Sequence, residues 1–296
     1  MRAFAVTSTA AALAGCGADS GPSETPLDEG GDDAVFAAEP VADEEQAIIP
    51  GASVTQVFRT FQLPAGGTLV NATAVCPNGS VIVGGGHTAH PQTRVYRSVK
   101  AGNGWAISII NLTNATSSTV NVVAQCLHGT NATSALFSVS RSVRAGATAC
   151  SRPTCPTGTI LAGGGFMAST SLQVYRNRPV DDGSGWQLCG KNLNNFDATS
   201  FTTVVVCLSG VSGGATWRSA GNKLIEPGES IRLDATCPAG GLLLSSGGFA
   251  ALEPEIYAYS NNRSFQEPNV WTSTFLNPTD DDGVIDLTIN CLELWP

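Results

Sequence analysis

From Ile285 onward, apolar and polar side chains alternate: Ile285, Leu287, Ile289 and Cys291 against Asp286, Thr288 and Asn290. A two-residue period puts one set on each face of a β-strand. Val120, Val122, Ala124 and Cys126 alternate in the same way with Asn121 and Gln125, so the cysteine that closes each segment is expected to point inward with the apolar set. Trp105-Ala106-Ile107-Ser108-Ile109 alternates as well. Turn residues fill the gaps: Pro64-Ala65-Gly66-Gly67, Asn103-Gly104, Asp181-Asp182-Gly183, Glu226-Pro227-Gly228 and Asp282-Gly283. No stretch beyond the N-terminal segment carries a capped helical period, and the expected fold is all-β with antiparallel strands.

The pattern recurs. Cys76-Pro77-Asn78-Gly79, Gly84-Gly85-Gly86, Val95-Tyr96-Arg97, Trp105, Asn111 and Cys126 have counterparts between Cys155 and Cys207 and again between Cys237 and Cys291. The closing cysteines are 81 and 84 residues apart, and Trp105, Trp186 and Trp271 are 81 and 85 apart. Fixed spacing of this density predicts three copies of one β unit, at 54–130, 131–210 and 211–296. The connections between units are short. Two architectures follow: three sheets about a pseudo-threefold, prism-like axis, or three small sandwiches in a row.

A unit of about 80 residues makes a small core, and small extracytoplasmic domains often need a covalent staple. The repeat selects the pairs Cys76–Cys126, Cys155–Cys207 and Cys237–Cys291, because each recurs at a fixed place. Closing a loop of roughly 50 residues is worth about 4 kcal/mol in the chain-entropy model. Cys150 and Cys189 have no counterpart in the other copies and most simply pair with each other; the alternative is two free thiols.

Charge changes the picture only at the N terminus. The net charge is −9, but residues 17–50 hold ten acidic side chains and no Lys or Arg. Residues 51–296 carry fourteen acidic and fourteen basic side chains, so the repeat region is formally neutral and lacks the basic stripe of a nucleic-acid binder. Residues 1–16 read as an export signal, with Arg2 ahead of a mildly apolar stretch too short to span a bilayer. Residues 17–50 are too polar to order themselves and read as a disordered acidic tether, reaching about 30 Å as a flexible coil.

Candidate chemistry is sparse. His87 and His90 stand three apart in Gly86-His87-Thr88-Ala89-His90, but Phe166 and Phe249 hold the place of His87 in the other copies, which marks a packing position rather than a metal ligand. Asp181-Asp182-Gly183 and Asp280-Asp281-Asp282-Gly283 read as turns, not calcium loops. Neither a nucleophile elbow nor a phosphate loop is present, and neither catalytic residues nor a cofactor are expected. The candidate binding residues are Tyr96 with Arg97, Tyr175 with Arg176, and Tyr257 with Tyr259, since an aromatic beside a cation stacks on a sugar ring or a peptide. The plainer reading of these residues is Tyr turned inward and Arg lying outward along the surface.

Leu13-Ala14-Gly15-Cys16 resembles the lipobox of bacterial lipoproteins. That resemblance implies lipidation at Cys16, a membrane anchor, and an address in the bacterial cell envelope, at the outer membrane or cell surface. The Cys-Pro-x-Gly, Gly-Gly-Gly, Gly-Trp, Asn and Cys series is similar to repeat modules of exported bacterial proteins of unassigned activity; the third copy departs from it at Ser246 and Val270. The resemblance supplies no catalytic residue. The expectation is a lipid-anchored, surface-displayed binding or adhesion protein that is not an enzyme and recognises a glycan or a protein. The alternatives are a purely structural envelope lipoprotein and, further off, a secreted hydrolase.

Overall fold

The computed structural model describes residues 49–180, 183–238 and 243–295. The export signal, Cys16, nearly all of the acidic tether, Asp181 and Asp182 lie outside the described residues. The described residues belong to one compact unit, and it is all-β.

The first segment supplies β1 (Ser53–Leu63), β2 (Thr68–Val75), β3 (Val81–Thr88), β4 (Thr93–Ala101), β5 (Gly104–Asn111) and β6 (Ser118–His128). The second supplies β7 (Thr133–Val143), β8 (Thr148–Ser151), β9 (Ile160–Ala168), β10 (Leu172–Pro179), β11 (Trp186–Asn192) and β12 (Thr199–Ser209). The third supplies β13 (Ser212–Ser219), β14 (Lys223–Ile225), β15 (Ser230–Thr236), β16 (Leu243–Ala251), β17 (Tyr257–Arg263), β18 (Val270–Leu276) and β19 (Gly283–Trp295).

Each segment divides its strands between two sheets. The sheets run β1-β6-β3-β17-β18-β15, then β2-β5-β4-β9-β12-β7, then β13-β19-β16-β10-β11-β8 with β14 also on β19. Every sheet is therefore half one segment and half another, an arrangement that three sandwiches in a row would not produce. The seams are short antiparallel ladders: Asn261 opposite His87, Ser98 opposite Phe166, and Asn177 opposite Phe249. The apolar cores cross the segments too; Phe166 and Phe201 share one cluster with Trp271, Phe275 and Ile289.

The disulfides follow this division. Cys76, just past β2, bonds to Cys126 on β6; Cys155, beyond β8, bonds to Cys207 on β12; Cys237, just past β15, bonds to Cys291 on β19. Each of these bonds ties together the two half-sheets of one segment. Cys150 and Cys189 are also bonded, directly across the β8–β11 ladder within one sheet.

The repeated glycines and tryptophans explain one another. A Cβ on Gly85, Gly164 or Gly247 would lie 2.2, 2.2 or 2.5 Å from the ring of Trp105, Trp186 or Trp271. Each indole lies flat on its glycine and is fully buried. Its Nε1–H donates to Ser98 Oγ at 3.0 Å, Asn177 Oδ1 at 2.7 Å and Asn261 Oδ1 at 2.7 Å respectively. At about 25 cal/mol per Å2, burying roughly 200 Å2 of indole contributes up to about 5 kcal/mol each before ordering costs. The repeated asparagines clasp loops. The buried amides of Asn111, Asn192 and Asn277 donate to the carbonyls of Thr116, Asp197 and Asp281, each at 2.8 Å.

Candidate functional site

The two ends of β3 differ. Its start, next to Gly79, lies where the chain comes in: Leu127 pairs with Val81, Ser53 pairs with His128, and Ile49 N donates to Leu294 O at 3.1 Å. Ile49, Gly79, Gly129, Gly210 and Trp295 line one shallow hollow there. The other end of β3 meets the ends of β9 and β16. There His87, Phe166 and Phe249 converge on a pocket of about 40 Å3.

The strand register explains the lining. Ser98, Asn177 and Asn261 correspond, since each receives a tryptophan N–H. Three residues before them stand Val95, Val174 and Ala258; four before them stand Arg94, Gln173 and Tyr257. All six line the pocket, together with the three end residues and the exposed Leu112. The pocket is thus built from corresponding positions of all three segments, but its chemistry is not threefold.

His87 is 2% exposed, and neither ring nitrogen has a hydrogen-bond partner. Burial pushes its pKa from 6.5 down to about 4, so the ring is neutral near pH 7. Arg94 is half-buried; its Nε is buried without a partner, and burial lowers its pKa from the ordinary arginine value. Among the described residues no carboxylate lines the pocket. Tyr257 donates its O–H to Pro91 O at 2.9 Å. Burial raises the Tyr257 pKa, opposed by the nearby Arg94 charge. The Gln173 amide is occupied by Pro254 O at 3.0 Å and Glu255 O at 2.6 Å. Of the polar atoms in the wall, Arg94 Nε and both ring nitrogens of His87 are buried without a partner among the described residues.

The candidate binding tyrosines lie on one strand of each segment, Tyr96 on β4, Tyr175 on β10, and Tyr257 and Tyr259 on β17. Pairing skips one residue between Val95 and Arg97, between Val174 and Arg176, and between Ala258 and Ser260. The bulged residues are Tyr96, Tyr175 and Tyr259, so Tyr259, not Tyr257, corresponds to the other two; Tyr257 faces the pocket. Tyr175 is buried, and Tyr96, Tyr257 and Tyr259 are half-buried. Tyr259 O–H hydrogen-bonds Ser230 Oγ at 2.9 Å. Arg97 donates to Asn71 Oδ1, and Arg176 is half-buried.

Exposed apolar residues lie elsewhere. Leu112, Leu193, Phe196 and Leu252 occupy loops at the pocket end, and Phe196 is 92% exposed. Phe58 and Phe265 meet edge to face at 5.3 Å beside a 330 Å3 cleft. Phe265 sits in the connection between β17 and β18, which is longer than the Gly102-Asn103 turn joining β4 to β5. The interval from the residue that receives the indole N–H to its tryptophan is 7, 9 and 10 residues in the three segments, so the longer connection shows only once the strand register is known. His128 Nε2 hydrogen-bonds Thr55 Oγ1 at 2.7 Å, so neither His87 nor His128 is held between a carboxylate and a serine. Among the described residues no three His, Cys, Asp or Glu side chains are grouped to hold a metal. No known family matches the chain, and no curated protein matches it.

Proposed function

We propose that the chain is an exported, lipid-anchored binding protein of the bacterial envelope that recognises a glycan or protein with its pocket-bearing end and performs no catalysis. Four disulfides are compatible with an oxidising, extracytoplasmic compartment. The observation that carries the reading is the opposition of the two ends. The chain enters beside Gly79, while the pocket and the loops bearing Leu112, Leu193, Phe196 and Leu252 lie where β3, β9 and β16 finish. Ile49, the first described residue, lies at the end opposite the pocket. Exposed apolar side chains grouped in loops at one end mark a recognition surface.

The test has two parts. Cells making the full chain are fed an alkyne-tagged fatty acid; the chain takes up label, and Cys16→Ala abolishes labelling and releases the chain from membranes. The purified full chain is then applied to glycan arrays and cell surfaces. Phe196→Ser with Leu252→Ser lowers binding tenfold or more at an unchanged unfolding midpoint, since both side chains are already in water. Failure to bind any surface would overturn the recognition role, and an unlabelled Cys16 would overturn the anchor.

A further inference from the structure

The pocket presents an unusual set of unmet requirements. Arg94 brings a half-buried positive charge, and among the described residues no carboxylate lines the cavity to answer it. His87 brings a buried imidazole with two idle nitrogens, one of them a donor in the neutral ring. Gln173 and Tyr257 also line it but spend their polar groups on backbone carbonyls, and the remaining wall is apolar: Val95, Val174, Phe166, Phe249, Ala258 and Leu112. Buried polar atoms without partners are uncommon in native proteins and call for an explanation. In the other two segments the same positions are filled by Phe, or by Gln and Tyr bonded to backbone carbonyls, so the fold does not need His or Arg there.

We infer that this pocket binds a short aliphatic carboxylate, with its anionic group on the Arg94 guanidinium and the His87 N–H and its carbon tail among the Phe and Val side chains. The inference deepens the binding role proposed above by naming the chemistry of one subsite. Size agrees. The pocket holds about 40 Å3; at about 10–15 Å3 per water by the same measure, that is room for about three waters, or a group of four or five heavy atoms. A cation is excluded by Arg94. A purely apolar guest would leave the arginine and the histidine as unsatisfied as they are now. A phosphate would bring up to two charges to one cation and no carbon for the apolar wall. A carboxylate meets each demand, because charge-assisted bonds to guanidinium are strong and geometrically matched.

The experiment uses the purified full chain and propionate, with propionamide as the neutral isostere and inorganic phosphate as the rival anion. Methyl resonances of Val95, Val174 and Leu112, and the ring resonances of His87, are followed during titration. Propionate shifts them saturably; propionamide and phosphate do not. Arg94→Gln, which copies the second segment, weakens propionate tenfold or more. His87→Phe, which copies the other two, weakens it several-fold. Both substitutions place a residue the fold already accepts at corresponding positions, so both variants are expected to fold. No saturable shift with propionate, an equal response to propionamide, or an unchanged affinity in Arg94→Gln would each overturn the inference. The measurement needs neither anchor nor macromolecular partner, so its failure leaves surface recognition standing, and failure of surface recognition leaves the subsite standing.

Discussion

The three segments meet at two levels along β3, β9 and β16, and the levels follow opposite rules. At the last glycine of each run the contacts are backbone on backbone. A Cβ on Gly86, Gly165 or Gly248 would sit 1.9, 2.0 or 2.1 Å from the carbonyl oxygen of Asn261, Ser98 or Asn177 on the neighbouring segment. One residue further on, His87, Phe166 and Phe249 differ in polarity and surround a space. Where the segments close on one another at Gly86, Gly165 and Gly248, a carbonyl leaves no room for a side chain. Where they splay apart, each is free to differ, and there the polar exceptions have gathered. The closed level holds the segments together, and the open level leaves a pocket.

The largest effect should come from breaking the closed level. Gly86→Ala pushes a methyl into the Asn261 carbonyl at a seam where one residue pair carries the β3–β17 register. Backbone cannot yield as a flexible side chain does, so the expected loss is about 3 kcal/mol or more, toward the upper end of overpacking costs. Chemical denaturation followed by tryptophan fluorescence measures it. Gly214→Ala, which has no neighbour within 4 Å of its Cβ, is the control and should change stability by less than about 0.5 kcal/mol.

The open level should respond to pH instead. In the folded chain His87 stays neutral down to about pH 4, whereas the unfolded ring takes a proton near 6.5. Between those values the unfolded state binds more protons. The stability tied to a neutral His87 is therefore complete above about pH 6.5 and is lost as pH falls toward 4. Arg94 and Tyr257 line the same pocket, and the tyrosine, its pKa raised by burial, is neutral throughout this window. His87→Phe removes this slope, and its advantage over the wild type should grow on acidification to at most about 3 kcal/mol. Parallel stability curves for the two proteins between pH 7 and pH 4 would contradict the placement of His87.

An intermediate effect is expected where the open end is clasped. Asn192→Ala strips the carbonyls of Val143, Arg144 and Asp197 of one shared amide donor. It also frees Asn194 N from Asn192 Oδ1. About 2 kcal/mol should be lost. Amide exchange should quicken in the loop carrying Phe196 before it quickens at the glycine level; equal protection at both levels would mean that the clasp does not hold the loop.

How much of this was legible depends on which force left a mark in the sequence. Burial of alternate side chains writes a two-residue period, and Ile285 to Cys291 could be read from it directly. The cysteine pairs could be read because each recurs at one place in the period. Sharing of sheets between segments could not be read. Its seams consist of glycine against a carbonyl, which leaves only Gly-Gly-Gly as a trace, and a tight bend explains that trace equally well. The bulges misled by the same route. One unpaired residue per strand moves the true counterpart of Tyr96 from Tyr257 to Tyr259, although Tyr257 has the more similar neighbour before it. Filling one position with Phe, Phe and His did signal burial; that the buried ring would be left without a partner depends on what its neighbours do, and no local pattern records that.

The smallest expected effect tests whether the closed level requires exact agreement. Ser246 stands where the other copies have Gly84 and Gly163, and its hydroxyl donates to Ala162 O at 2.8 Å. The Ser246 side chain fits between Gly84 and Gly163 because both of those positions are bare. A Cβ on Gly84 would lie 2.8 Å from Ser246 Cβ and 2.4 Å from Ser245 O. Ser246→Gly should cost about 1 kcal/mol, the worth of one buried hydrogen bond. Gly84→Ser alone should cost more, since two side chains would then contend for one space. Combining them removes the contact with Ser246 Cβ but leaves Ser245 O in the way, so the double variant should recover part of the loss and stop short of the wild type. Strict additivity of the two changes would mean that these side chains do not contend for one space; full recovery would mean that the Ser245 backbone gives way.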